Sequence, residues 1–298
     1  MSTQRLYQSR CYAICILLVC QFAFAQTAAA KAFLWKASSA TATVYMLGSI
    51  HMGVPSMYPL PRAVEEAYDK SDYLVLEGNI GEVDQSEVQQ LMLQSGLYPG
   101  TETLADHVDK QLYDQLTDFM ARQGLPAELF VKMKPGMLAI NLSVLHMQQL
   151  GYSPDLGVDR HFMLKANQQN KPILELESMQ QQIDLLLGFS DDALLLKQTL
   201  SQLVSMKEVS AGMVKSWETG DARGLNKLVI EDPLAENPEF QPLMKKLIFD
   251  RNVAMAGKIQ GYLSSGKTYF VIVGAGHLVG DKGIISLLRD KGFRIEQL

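Results

Sequence analysis

Histidine follows glycine by three residues at two distant places in this chain, and each time an apolar run precedes the glycine. The first is Tyr45-Met-Leu-Gly48-Ser-Ile-His51-Met-Gly53; the second is Phe270-Val-Ile-Val-Gly274-Ala-Gly276-His277-Leu-Val-Gly280. Such apolar runs read as buried strands, and glycine lets the chain turn sharply where a strand stops. Each histidine is then presented at a strand's carboxyl edge, and two such edges can bring two imidazoles into one crevice. The alternative is that each histidine merely caps its strand on a backbone carbonyl. Asp72-Tyr-Leu-Val-Leu-Glu77 is a third compact strand, ending in a carboxylate. In open α/β sheets ligands collect beyond the carboxyl ends of strands, so Glu77 shares the crevice of His51 if the strands run parallel. Two neutral imidazoles and one carboxylate suit a divalent transition metal, with positions left for water and substrate. A solvated Glu77 before a Gly78-Asn79 turn is the plain structural reading.

Further charged residues stand in unusual places. The segment Leu243 to Leu263 has helical periodicity with an apolar stripe through Met244, Ile248, Met255, Ile259 and Tyr262, and Arg251 lies on that stripe. A guanidinium there must pair with a carboxylate or point into a polar cavity, where it can bind a carboxylate or a developing oxyanion. Glu175 and Glu177 belong to the short β-like run Pro172 to Glu177, and alternation predicts that both face the same side. Asp159, after Gly157-Val158, reads most simply as an acid complementing a helix N-terminus. His107, His146 and His161 sit on helical patterns without glycine turns and read as structural.

The bulk properties narrow the chemistry. Arg5 and Arg10, the apolar stretch Cys11 to Phe24 and the small-residue site Ala23-Phe24-Ala25 describe a cleavable signal peptide, residues 1–25, which predicts a periplasmic or secreted protein starting at Gln26. All three cysteines, Cys11, Cys15 and Cys20, fall inside that segment, leaving neither disulfides nor thiolates and making His, Asp and Glu the available ligands. Loss of Arg5 and Arg10 takes the 27 basic residues to 25 against 32 acidic ones, a net charge of −7. A moderately acidic chain without a basic run argues against nucleic acid as a partner, and no later segment is apolar enough for stable membrane insertion.

The elements that must position these residues read as α+β. A hairpin joins Phe33–Ala37 to Thr41–Met46, a helix runs over about 61–70, and the Asp72 to Glu77 strand follows. Near the end come a strand over Thr268–Val273, a helix over Lys282–Lys291 and a last strand over Phe293–Ile295. The order of strand, Gly-x-x-His turn, helix and strand thus occurs at both ends, and the two units are predicted to form one central sheet. Between them, helical spacing marks Ser86–Ser95, Val108–Gln123, Lys134–Gln149, Val158–Asn167, Met179–Leu187 and Asp191–Glu218. This predicts a single domain over 26–298 with a large inserted helical subdomain at about 84–263.

With these residues in view the chain resembles the TraB/GumN family, whose relatives include the Tiki proteases. The resemblance rests on the order Gly48-Ser-Ile-His51, Leu76-Glu77, Gly157-Val158-Asp159, Leu176-Glu177 with Gln181, Arg251-Asn252 and Val273 to Gly280, spanning about Phe33 to Leu298. It implies a metal-dependent hydrolase; Tiki members are metallopeptidases of the Mn/Co type acting on amino-terminal segments of secreted proteins. Carried onto this sequence, His51, Glu77 and His277 match the metal site, and Glu177, Asp159 and Arg251 match supporting catalytic positions. The resulting expectation is an exported hydrolase acting on a peptide or protein substrate. The open alternatives are capture of a peptide signal without turnover, and a metal-independent esterase with a histidine base.

Overall fold

A computed structural model describes residues 31–78, 85–187 and 192–298; the segment read as a signal peptide, with its cysteines, lies outside the described residues. Six strands form one sheet: β1 Leu34–Ser38, β2 Thr43–Ser49, β3 Tyr73–Leu76, β4 Ile173–Glu175, β5 Thr268–Gly274 and β6 Arg294–Gln297. Their order across the sheet is β4-β3-β5-β2-β1-β6. The four strands from β4 to β2 are parallel, while β1 runs antiparallel to both β2 and β6. The fold is therefore mixed, with many helices around one sheet, as the sequence predicts.

The interior strands are apolar on both faces because helices cover both. Alternation along β5 sends Phe270 to one side, against Tyr68 of the helix Arg62–Asp69 and Phe162 of the helix Val158–Gln169 (ring centroids 5.7 and 5.0 Å). Tyr269 points the opposite way and stacks on Tyr262 of the helix Asp250–Tyr262 at 4.4 Å. Its cross-strand neighbour Tyr73 stacks on it from β3, at 5.1 Å.

The middle of the chain builds a second apolar cluster. Leu112, Leu116 and Met120, spaced by four on the helix Lys110–Arg122, pack with Leu138 and Leu142 of Pro135–Gln149 and with Leu196 and Leu203 of Asp192–Leu203. The stretch read as one helix to Glu218 breaks at Val204-Ser205 and resumes as Met206–Glu218. The Arg251 helix continues a segment with a π turn at Lys245–Phe249, and a second π turn occupies Lys227–Glu231. No helix among the described residues is long and apolar enough to cross a membrane.

Register decides where the chemistry goes. Ser49 at the end of β2 pairs with Gly274 at the end of β5, and Leu76 at the end of β3 pairs with Ile272. The carboxyl ends of β2, β3, β4 and β5 consequently share one edge.

Candidate active site

His51 leaves that edge in a bend immediately after β2. Two backbone contacts anchor the strand end: Trp217 Nε1 donates to the Gly48 carbonyl (2.6 Å) and Val158 N to the Ile50 carbonyl (3.1 Å). Gly157 lies so close that a Cβ there would stand 2.4 Å from the His51 carbonyl oxygen, which accounts for glycine at the helix entry. The same helix start delivers Asp159. Its carboxylate receives the Ser49 hydroxyl at 2.6 Å and lies 3.2 Å from His51 Nδ1. Asp159 is thus more than a helix-dipole acid: it fixes the imidazole, leaving Nε2 directed toward Gly274. Burial of the ring edge disfavours its charge, but the Asp159 bond and charge, helped by Glu77, raise the His51 pKa to about 9. The side chain is still 55% exposed.

His277 lies in a short helical turn, Ala275–Leu278, and its side chain is 5% exposed. Its Nδ1 meets Asn252 Oδ1 at 2.6 Å, while Asn252 Nδ2 donates to the Lys282 carbonyl at 2.8 Å. That second bond makes Oδ1 the acceptor, so His277 carries its proton on Nδ1 and exposes the Nε2 lone pair. Arg251 Nη1 approaches this lone pair at 3.2 Å. Burial first, and the guanidinium second, lower the His277 pKa to about 4 despite the attraction of Glu77.

Arg251 does pair with carboxylates from the apolar stripe. Its Nε donates to Glu177 at 2.9 and 3.1 Å, Nη2 to Glu177 Oε2 at 2.6 Å, Nη2 also to Glu77 Oε1, and Nη1 to the Leu247 carbonyl at 2.9 Å. Arg251 is 15% exposed and both glutamates 13%. Burial opposes the charge on Glu77, yet the imidazoles, Arg251 and the Gly274 N–H (2.8 Å) bring its pKa to about 2. Because His277 is itself neutral, His51, Arg251 and the amide carry that effect at ordinary pH.

Glu175 and Glu177 separate. The ladder ends at Glu175, which is exposed, and Glu177 continues as a loop residue whose N–H donates to the Glu77 carbonyl at 2.8 Å. Strict alternation, which put both on one face, does not extend past the last strand pair. The other histidines stay apart from this cluster. His107 stacks on Tyr98 at 4.1 Å, and His161 packs between Tyr58 and Phe162. Asn252, which orients His277, and Ser49, which holds Asp159 against His51, are not titratable, and residue chemistry alone assigns them no role.

The donors converge around Gly274. A Cβ there would lie 3.1 Å from His51 Nε2, 3.4 Å from Glu77 Oε2 and 3.4 Å from His277 Cδ2. The His51 side faces a cavity of about 450 Å³, whose wall includes Met147, Met213 and Met244. Comparison with known proteins gives this arrangement a context. The sequence matches the TraB/PrgY/gumN family over residues 33–297. The chain belongs to that family. Uncharacterized protein YbaP of Escherichia coli (strain K12) is 28% identical over 246 residues, covering 82% of this chain and 87% of YbaP. Metalloprotease TIKI2 of Danio rerio is 22% identical, covering 85% of this chain and 58% of its own length; Metalloprotease TIKI1 of the same fish is 23% identical, with coverage of 85% and 60%. No solved structure matches the chain.

The donor set of this family member fits a divalent transition metal in kind. Both imidazoles have Nδ1 held by a neighbour and Nε2 turned inward, the arrangement that orients metal-binding histidines. In position, Arg251 takes the Glu77 and His277 lone pairs, and among the described residues no three donors of the His, Cys, Asp or Glu type are gathered as a metal centre.

Proposed function

We propose that this protein is an exported metal-dependent hydrolase that cleaves amide bonds in peptides or proteins. The reading is carried by one observation: His51 Nε2, Glu77 Oε2 and the Cδ2 edge of the His277 ring surround Gly274 beside an apolar cavity. The named Tiki metalloproteases among its relatives support hydrolysis, and the basic-then-apolar first segment supports export. His51, Glu77 and His277 would hold the metal, which when bound supplies an acidic coordinated water and polarises a carbonyl. Asp159 and Asn252 hold the two rings through Nδ1, so that His51 Nε2 is turned to Gly274 and His277 Nε2 to Arg251 and Glu77. Arg251 keeps Glu177 through Nε and offers its charge to the carbonyl oxygen as negative charge develops there. Glu177 accepts the proton of the attacking water and returns it to the leaving nitrogen.

A second reading keeps hydrolysis without the metal. It is favoured by Arg251, which already neutralises Glu77 and occupies the His277 lone pair, leaving the His51–Asp159 pair for proton transfer. Metal analysis of protein purified without chelator separates the two. The first reading expects stoichiometric metal that is lost in His51→Ala and His277→Ala. A peptide-library cleavage assay with Mn, Co or Zn and mass-spectrometric readout tests the bond cleaved, and silence with every metal would sink the peptidase assignment.

A further inference from the structure

The cavity beside the histidines shares Met147, Gln202, Met213 and Val229 with a second cavity of about 520 Å³, which reaches Asp232 and Glu236. Each compartment falls within the roughly 300–1,000 Å³ typical of ligand sites. Their linings differ in charge. His51 and His277 are the ionisable side chains that line the near compartment, and Asp232 and Glu236 those that line the far one. Met52, Met147, Met206, Met213 and Met244 supply flexible, polarisable walls along both. The two π turns stand on the same lining: Val229 and Ile230 come from one, Leu247 and Ile248 from the other. Such turns are rare and recur at functional sites, where they displace side chains from the ordinary helical register.

We propose that the two compartments form one substrate groove for an extended peptide, with apolar unbranched side chains beside the bond to be cleaved and a free amino end at Asp232 and Glu236. The identity of that bond rests on the hydrolase reading above; binding in the groove does not. Lys227 lies 3.0 Å from Asp232 and offsets one carboxylate, so the far end retains a net negative charge from Glu236. An ammonium is attracted there, and an anionic group is repelled. On the apolar wall of the near compartment, formed by Met52, Met213, Met244, Leu247 and Ile248, a charged side chain would lose its hydration without gaining a partner.

The test uses the full exported chain and N-phenyl-1-naphthylamine, a neutral fluorescent apolar probe, displaced by pentapeptide amides. A norleucine-rich peptide with a free amino terminus is expected to displace it about tenfold better than its aspartate counterpart, a difference of about 1.4 kcal/mol. N-acetylation should weaken it about threefold. Met147→Glu and Met213→Glu should each weaken binding about tenfold, while Met213→Leu keeps it. Val204→Glu, at a position 88% exposed and outside both cavities, serves as the control. Equal displacement by the two peptides overturns the groove, as does unchanged binding in both glutamate variants with native melting curves. If apolar peptides bind and none is cleaved with any metal, the groove stands and the peptidase reading falls. If cleavage occurs without preference for apolar residues, the reverse holds.

Discussion

His51 and His277 follow the ends of adjacent parallel strands, three residues beyond glycines, and their imidazoles receive opposite treatment. His51 is half open and has a carboxylate at Nδ1; His277 is buried and has a neutral amide there. One pKa rises to about 9 and the other falls to about 4. The repeated turn therefore sets position, and the surroundings set charge: Asp159 raises the one imidazole, and burial beside Arg251 lowers the other. A site built this way holds two similar donors at different protonation states before any ligand arrives.

Removal of Arg251 is the severest test of the buried half. Arg251→Met leaves Glu77 and Glu177 without their shared cation, and breaking a buried pair from one side costs roughly 3–5 kcal/mol. Urea unfolding of the chelated protein should show that loss. Arg251→Lys should recover little of it, because an ammonium cannot reproduce the fork that meets both carboxylates. Asp159→Asn, on the half-open side, should cost no more than about 1 kcal/mol, since solvent screens that pair. Equal losses from Arg251→Met and Asp159→Asn would erase the contrast.

Exchange of the Nδ1 partners sharpens it. In chelated protein followed by NMR, Asp159→Asn should lower the His51 pKa, and Asn252→Asp should raise that of His277, each by roughly 1 to 3 pH units. Stability follows with opposite signs. The depressed pKa of His277 means its contribution is complete above about 6.5 and fades as pH falls toward 4. The raised pKa of His51 means its contribution is complete below 6.5 and fades as pH rises through 9. Melting temperature against pH should accordingly lose its alkaline limb in Asp159→Asn and move its acid limb in Asn252→Asp. If both limbs survive the two substitutions, the Nδ1 partners do not set the charges.

The strands and their glycine turns were legible because burial on both faces writes continuous apolar runs, and a carboxylate or histidine just past such a run stands out. Arg251 was legible for the same reason, as a charge on an apolar stripe. The partners were harder. Asn252 and Ser49 act through hydrogen bonds that neither periodicity nor titration announces, and Asp159 looked complete as a helix-start acid. The difference between Glu175 and Glu177 depends on where β4 loses its neighbour, a tertiary fact. The π turns left no mark because each spans a single turn, too short for its shifted register to stand out in the apolar pattern.

The two glycines offer the finest distinction. A Cβ at Gly48 would lie 2.6 Å from Phe33 Cδ1 and 3.0 Å from Ala275 Cα, both in the packed core, so Gly48→Ala should cost about 1–3 kcal/mol in unfolding. At Gly274 the neighbours are His51 Nε2, Glu77 Oε2 and His277 Cδ2, none nearer than 3.1 Å, so side chains need shift only slightly to admit a methyl. Gly274→Ala should therefore unfold within about 1 kcal/mol of the parent while losing Mn or Co uptake, because the methyl enters the space the donors face. Calorimetric metal titration beside urea unfolding reads both quantities on one preparation. A Gly274→Ala protein that takes up metal as the parent does would move the meeting point of the donors away from this turn. The repeated motif would then be an architectural feature, with chemistry left to the His51–Asp159 pair.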